Sequence, residues 1–211
     1  MRDEVLAAAR EMLALGLTAG TAGNVSGRAA DGTVVVTPAS LDYREMTGAD
    51  LVVLSPDGEV LDGERAPSSE RALHLAVYAA FPDVRGVVHA HPVHATMFAC
   101  ARRAIPAAVD EFALYVGGDV PCAAYEPSGS AALAREAVRH LADRAAVLLA
   151  SHGLVAVGTS PRDALHVATV VEQGAHAIWG AAALGGAVAL PSEAQRALAE
   201  HYRRGRSLPS T

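Results

Sequence analysis

Two apolar runs in this sequence each lead into histidine, and they constrain the fold more than any other feature. The first is Val87-Val88-His89-Ala90-His91-Pro92. In an extended strand alternate side chains share a face, so His89 and His91 project together about 6–7 Å apart. That suits two imidazoles converging on one metal ion. The plainer reading is a half-buried strand edge with two hydrogen-bonded histidines. Val84, Val87 and Val88 would bury the upstream end, and Pro92 stops the strand where the histidines emerge. The second run, Ala145 to Ala150, ends in the polar turn Ser151-His152-Gly153. Catalytic zinc takes three protein ligands and keeps a fourth position open, so a His-x-His pair needs a third ligand from elsewhere.

A length of 211 residues suits one well-filled domain, expected to span 1–211. Aromatic residues make up 4% and hydrophobic residues 51%, a balance for helices packed closely on a sheet and not for a disordered chain. The net charge of −6 gives no reason to expect nucleic acid or an anionic membrane as partner. Cys100 and Cys122 cannot build a disulfide framework, which points to a reducing compartment. Val5, Leu6, Ala9, Met12 and Leu13 repeat at helical spacing, so Met1 to Leu17 reads as an amphipathic helix and not a signal peptide. With apolar runs far shorter than a membrane span, a cytoplasmic location is expected.

The glycine-rich stretch from Gly16 to Arg28 exposes backbone N–H groups that could cradle an anion, or it is an ordinary helix-to-strand turn. Asp31-Gly32 predicts a hairpin between Val25–Arg28 and Thr33–Thr37, and Ser55-Pro56-Asp57-Gly58 another between Leu51–Leu54 and Glu59–Leu61. The sheet should therefore contain much antiparallel pairing. Pro67-Ser68-Ser69-Glu70 opens a helix over Arg71–Phe81, with Ser68 or Ser69 as N-cap and Glu70 in the first turn. This is ordinary capping chemistry unless Glu70 faces the histidines. His74 reads as a structural or surface histidine, and His94 as the start of a helix beside the metal pair. Ile105 to Phe112 predicts a strand in which Asp110 and Glu111 point to opposite faces. A short strand over Val120–Tyr125, a capped helix reaching His140 and a return strand at Val155–Gly158 follow. Ser160-Pro161 starts a long helix on which Glu172 and His176 form a helix-surface pair. A last helix runs to about Tyr202, and 203–211 read as a mobile tail.

In this order the pieces resemble the class II aldolase and adducin family. The resemblance rests on Gly20-Thr21-Ala22-Gly23-Asn24-Val25-Ser26, Pro67-Ser68-Ser69-Glu70, Val88-His89-Ala90-His91-Pro92-Val93-His94 and Ser151-His152-Gly153-Leu154. It implies an α/β fold, a largely antiparallel central sheet flanked by helices, and a homotetramer. It further implies one Zn2+, or another divalent metal, per subunit, held by His89, His91, His152 and Glu70, with Glu70 also moving the proton. Asn24, Ser68 and Ser69, with Thr21 and Gly23, correspond to the positions that bind a sugar phosphate. The family's Thr-Gly contact reads Ala39-Ser40 here, and Asp110 stands where the fuculose-phosphate enzymes of the family place a tyrosine. A second family tyrosine, contributed by a neighbouring subunit, has Tyr202 as its counterpart. The implied reaction is reversible cleavage of a small ketose 1-phosphate to dihydroxyacetone phosphate and an aldehyde. Epimerase, dehydratase and decarboxylase chemistry share the metal ligands, and a non-catalytic adducin-like domain would not need them.

Overall fold

The computed structural model describes residues 1–205. Eight strands form one sheet in the order β4-β3-β2-β1-β5-β8-β7-β6. They are β1 (Asn24–Arg28), β2 (Val34–Val36), β3 (Val52–Leu54), β4 (Val60–Asp62), β5 (Gly86–Ala90), β6 (Cys122–Ala123), β7 (Ala146–Leu149) and β8 (Gly153–Gly158). Every adjacent pair is antiparallel except β6 with β7. The hairpins expected around Asp31-Gly32 and Pro56-Asp57 are β1–β2 and β3–β4.

Helices α1 (Arg2–Ala14), α3 (Val93–Ala101) and α5 (Pro161–Ala181) pack together over one face of the sheet, and α2 (Arg71–Ala80) packs with α4 (Ala131–His140) on the other. Alternation along β1 decides which side chain meets which layer. Gly27 faces α1 and α5, where Met1, Val5 and Pro161 fill the space a side chain would need. Asn24, Ser26 and Arg28 face the other way, toward α2. Arg28 closes the far end of that helix by donating to the carbonyls of Tyr78, Phe81, Pro82 and Val84. Both core faces are filled by Val, Leu and Ala from the central strands, all buried. Among the described residues no helix is long and apolar enough to cross a membrane.

Two sequence expectations give way here. The run from Ile105 is not a strand: only Ile105 pairs, as an isolated bridge to Val120, and the chain then coils into a π-helical turn at Phe112–Val116. Phe112, Ala113 and Val116 are buried on one side of that turn, and the Phe112 ring lies over Gly174 of α5, where a Cβ would collide with it. A short apolar run does not distinguish helix from strand by itself, and here packing decides. The last helix, α6 (Ser192–Gly205), extends through residues 203–205 of the expected tail; 206–211 lie outside the described residues.

Candidate metal centre and active site

The register of three central strands assembles the site. Asn24 on β1 lies opposite His89 on β5, and His89 in turn lies opposite Val155 on β8. His91 is one residue past the end of β5, where its backbone N–H is held by the Leu17 carbonyl at 3.1 Å. His152 sits in the turn between β7 and β8, and Ser151 before it adopts the left-handed conformation, φ 56°. Gly153 makes the close approach possible: a Cβ there would stand 2.5 Å from both the Ala90 carbonyl oxygen and a His91 ring carbon.

His89, His91 and His152 converge through one ligand atom each, all within 4.8 Å of one another. His89 Nε2 is 3.0 Å from His91 Nε2 and 3.2 Å from His152 Nε2. Tetrahedral zinc with bonds of about 2.0–2.1 Å separates its nitrogens by about 3.3 Å, so this spacing fits such an ion. The tautomer fits too. His89 Nδ1 lies 2.9 Å from the Leu154 carbonyl, which only accepts, so the proton is on Nδ1 and Nε2 presents its lone pair. Burial and the neighbouring His89 and His152 hold His91 down at about 4, and burial with His89 likewise lowers His152. Near neutral pH these two rings carry no charge, as a metal ligand requires.

Glu70 lies against the cluster, but it is not in the first turn of α2. It occupies the N-cap position, and Ser68, expected as a candidate cap, accepts the Glu70 backbone N–H at 3.2 Å. The Glu70 carboxylate lies 3.1 Å from His89 Nε2 and 3.5 Å from His152 Nε2. Its outer contacts are donors: Asn24 Nδ2 at 2.9 Å on Oε2, and Ser128 Oγ at 2.9 Å on Oε1. Burial alone would raise its pKa, yet positive charge on the histidine side, together with these two hydrogen bonds, holds it well below the usual carboxylate range. The His89 lone pair and the carboxylate oxygens both seek positive charge. A cation among them satisfies both, which is the chemical test a metal site must pass.

The segments expected to bind an anion adjoin this cluster and one another. Ala39 donates its backbone N–H to Ala66, Ser68 donates to the Thr37 carbonyl, and the Tyr43 hydroxyl donates to the Gly23 carbonyl at 2.6 Å. Gly23, φ 76°, passes so near His89 that a Cβ would lie 2.6 Å from the His89 carbonyl oxygen. Thr21, Ser40 and Ser69 are exposed and Ser68 is buried. Ser40, φ 57°, holds a left-handed conformation at the position where the resembled family carries glycine. Ser40→Gly should therefore stabilise the fold by about 1 kcal/mol and raise Tm by about 2–4 °C in a thermal melt; an unchanged or lower Tm would contradict this strain.

Asp110 and Tyr202 are placed differently from the rest. Asp110 is exposed in the helical turn that replaces the expected strand, and no hydrogen bond or ion pair among the described residues joins it to the histidines. Tyr202 does not reach outward from a tail: its ring is buried in the core of its own chain, seated where Gly117 lacks a Cβ. Glu172 and His176 do not form the expected surface pair. Glu172 accepts the backbone N–H groups of His94 and Ala95 and meets His94 Nδ1 at 2.7 Å, which places a carboxylate at the N-terminus of α3. His176 stacks on the His94 ring at 3.9 Å. Ser128 and His74, neither of them anticipated here, both serve the Glu70 carboxylate, Ser128 directly and His74 through Asn24.

Three imidazoles at the ends of sheet strands, with an ionised carboxylate from the cap of α2 beside them, form a group that could hold a metal ion on an α/β fold. The profile of the Class II Aldolase and Adducin N-terminal domain matches residues 3–179. The chain is 37% identical over 202 residues to 5-deoxy-D-ribulose 1-phosphate aldolase of Bacillus thuringiensis serovar kurstaki, covering 95% of this chain and 94% of that one. It is 40% identical over 162 residues to L-fuculose phosphate aldolase of Escherichia coli strain K12, covering 77% and 74%. A solved structure of an L-fuculose 1-phosphate aldolase superposes with a TM-score of 0.91 at 34% identity, covering 96% of this chain and 95% of that one. The chain belongs to the class II aldolase and adducin family.

Proposed function

We propose that this protein is a zinc-dependent aldolase that reversibly cleaves a small ketose 1-phosphate into dihydroxyacetone phosphate and an aldehyde. The observation that carries the reading is Glu70, an ionised carboxylate against two of three converging histidines and gripped by donors on its outer side. The relatives named above act, by their names, on 5-deoxyribulose 1-phosphate and fuculose phosphate, two such ketose phosphates.

A divalent ion held by His89, His91 and His152 would supply charge stabilisation to the enediolate fragment that carbon–carbon cleavage produces. Glu70 transfers the proton: displaced from its resting contact with the histidines by substrate, it stays within the grip of Asn24 and Ser128 as base and acid. The adjoining segments that carry Thr21, Gly23, Asn24, Ser40, Ser68 and Ser69 hold the phosphate, largely through backbone N–H groups and hydroxyls. This leaves Asp110 and Tyr202 outside the reacting group of a single chain. Exposed Val93, Met97 and Trp179 on α3 and α5 offer apolar surface for the subunit contacts of a homotetramer.

The test is a cleavage assay on L-fuculose 1-phosphate and 5-deoxyribulose 1-phosphate, detecting released dihydroxyacetone phosphate with and without chelator. Chelator-sensitive release is expected. Zinc-loaded protein that releases none would overturn the aldolase reading in favour of epimerase, dehydratase or decarboxylase chemistry. In the same preparation His91→Ala should lose most of its bound zinc by elemental analysis, and unchanged zinc content would refute the ligand set.

A further inference from the structure

Behind Glu70 runs a line of buried polar groups that leads away from the site. Asn24 Oδ1 is in hydrogen-bond contact with His74 Nε2, and its Nδ2 donates to Glu70. His74 Nδ1 lies 2.6 Å from Ser26 Oγ, which lies 2.8 Å from the Tyr78 hydroxyl. All five residues are buried, His74 almost completely. The two elements that supply the line match in period: Asn24 and Ser26 alternate on one face of β1, while Glu70, His74 and Tyr78 recur every four residues along the start and face of α2.

The direction of each bond follows from the ionised carboxylate. An ionised Glu70 accepts only, so Asn24 must turn its amide nitrogen toward it and its carbonyl oxygen toward His74. That oxygen needs a donor, which puts the His74 proton on Nε2. Nδ1 then accepts from the Ser26 hydroxyl, and Ser26 in turn accepts from Tyr78. A flipped Asn24 would set its carbonyl against the carboxylate, two acceptors face to face, and its amide nitrogen against the His74 Nε2–H, two donors face to face, so the two neighbours select the same orientation and His74 supplies the lock on the side away from the site.

We infer that His74 is a positioning residue for proton transfer: by donating Nε2–H to Asn24, it fixes the amide orientation that holds Glu70 aligned. Its imidazole touches neither the substrate site nor the histidine cluster, and it acts through Asn24 alone. The inference rests on the role proposed for Glu70. It also gives Asn24 two tasks, since a primary amide has a second N–H that can serve a substrate oxygen while the first holds Glu70.

Two substitutions separate positioning from packing. In His74→Gln the side-chain amide nitrogen reaches about where Nε2 lies and can still donate to Asn24. In His74→Asn it reaches only about as far as Nδ1, so the Ser26 contact can survive while Asn24 loses its donor. With both variants zinc-loaded, His74→Asn should lose about 10–100-fold in kcat and His74→Gln should remain within about fivefold of the parent protein. A packing role predicts losses that follow Tm and favour neither amide; equal kcat in the two variants overturns the inference. The second readout is the tautomer of His74 in the unmodified protein, from long-range proton–nitrogen NMR at neutral pH. An Nε2–H ring is expected; an Nδ1–H ring overturns the inference even where a variant fails to fold. If the unmodified protein cleaves no ketose phosphate, the aldolase reading fails, while the tautomer still decides the hydrogen-bond assignment.

Discussion

Glu70→Gln should abolish most turnover while the protein keeps its metal. Three histidines remain as ligands, and His89 is still oriented by the Leu154 carbonyl, so zinc content by elemental analysis should stay close to one per chain. The amide can also keep the neighbours bonded: its oxygen can accept from Asn24, and its nitrogen can donate to Ser128, whose hydroxyl accepts as readily as it donates. What is lost is the basic oxygen. General acid–base catalysis of this kind contributes about 10²–10⁴-fold, and a loss of that size in kcat is expected. A cleaner readout is exchange of the hydroxymethyl hydrogen of dihydroxyacetone phosphate with deuterated water, followed by NMR, because it isolates proton transfer from bond cleavage. Exchange at the parent rate in the variant would remove Glu70 from its role.

The parts of this site legible in the sequence were those carried by local patterns. Apolar runs that lead into histidine marked β5 and the β7–β8 turn, and Asp31-Gly32 and Pro56-Asp57 marked the hairpins. The hidden parts depend on registration between elements distant along the chain. That His74 serves the site follows only once α2 is laid over the particular face of β1 that carries Asn24 and Ser26. Ser128 is 58 residues from the carboxylate it bonds, and Glu172 is 78 from the His94 it caps, so no local period reveals either. The region from Ile105 to Val116 misled for a related reason. Its apolar residues fit either period, and the choice was made by the space over Gly174, sixty residues downstream. Glu70 stood out as a helix-start acid, but its position at the cap and not within the first turn is what lets it face back toward the strand ends.

The same buried line that orients Glu70 should make the fold sensitive to acid. Burial holds His74 down at about 3, and the charge of Glu70 only partly offsets it; an unfolded histidine titrates near 6.5. Between those values the unfolded chain binds a proton that the folded chain refuses, so stability rises with pH across the window. The contribution is complete above about 6.5 and is lost as pH falls toward 3. A difference of that size is worth on the order of 5 kcal/mol, comparable to the whole stability of many domains. His91, held at about 4 chiefly by burial, works in the same direction, and so does Glu70, whose lowered pKa withdraws stability as pH falls below the ordinary carboxylate value. Urea denaturation of chelator-treated protein, which removes the separate effect of metal loss, should show a midpoint that drops steeply from pH 7 to pH 4. His74→Gln, with no group to titrate there, should flatten the profile while lowering stability at pH 7. Parallel profiles for the two proteins would mean that the acid sensitivity resides elsewhere, and would remove His74 as its source.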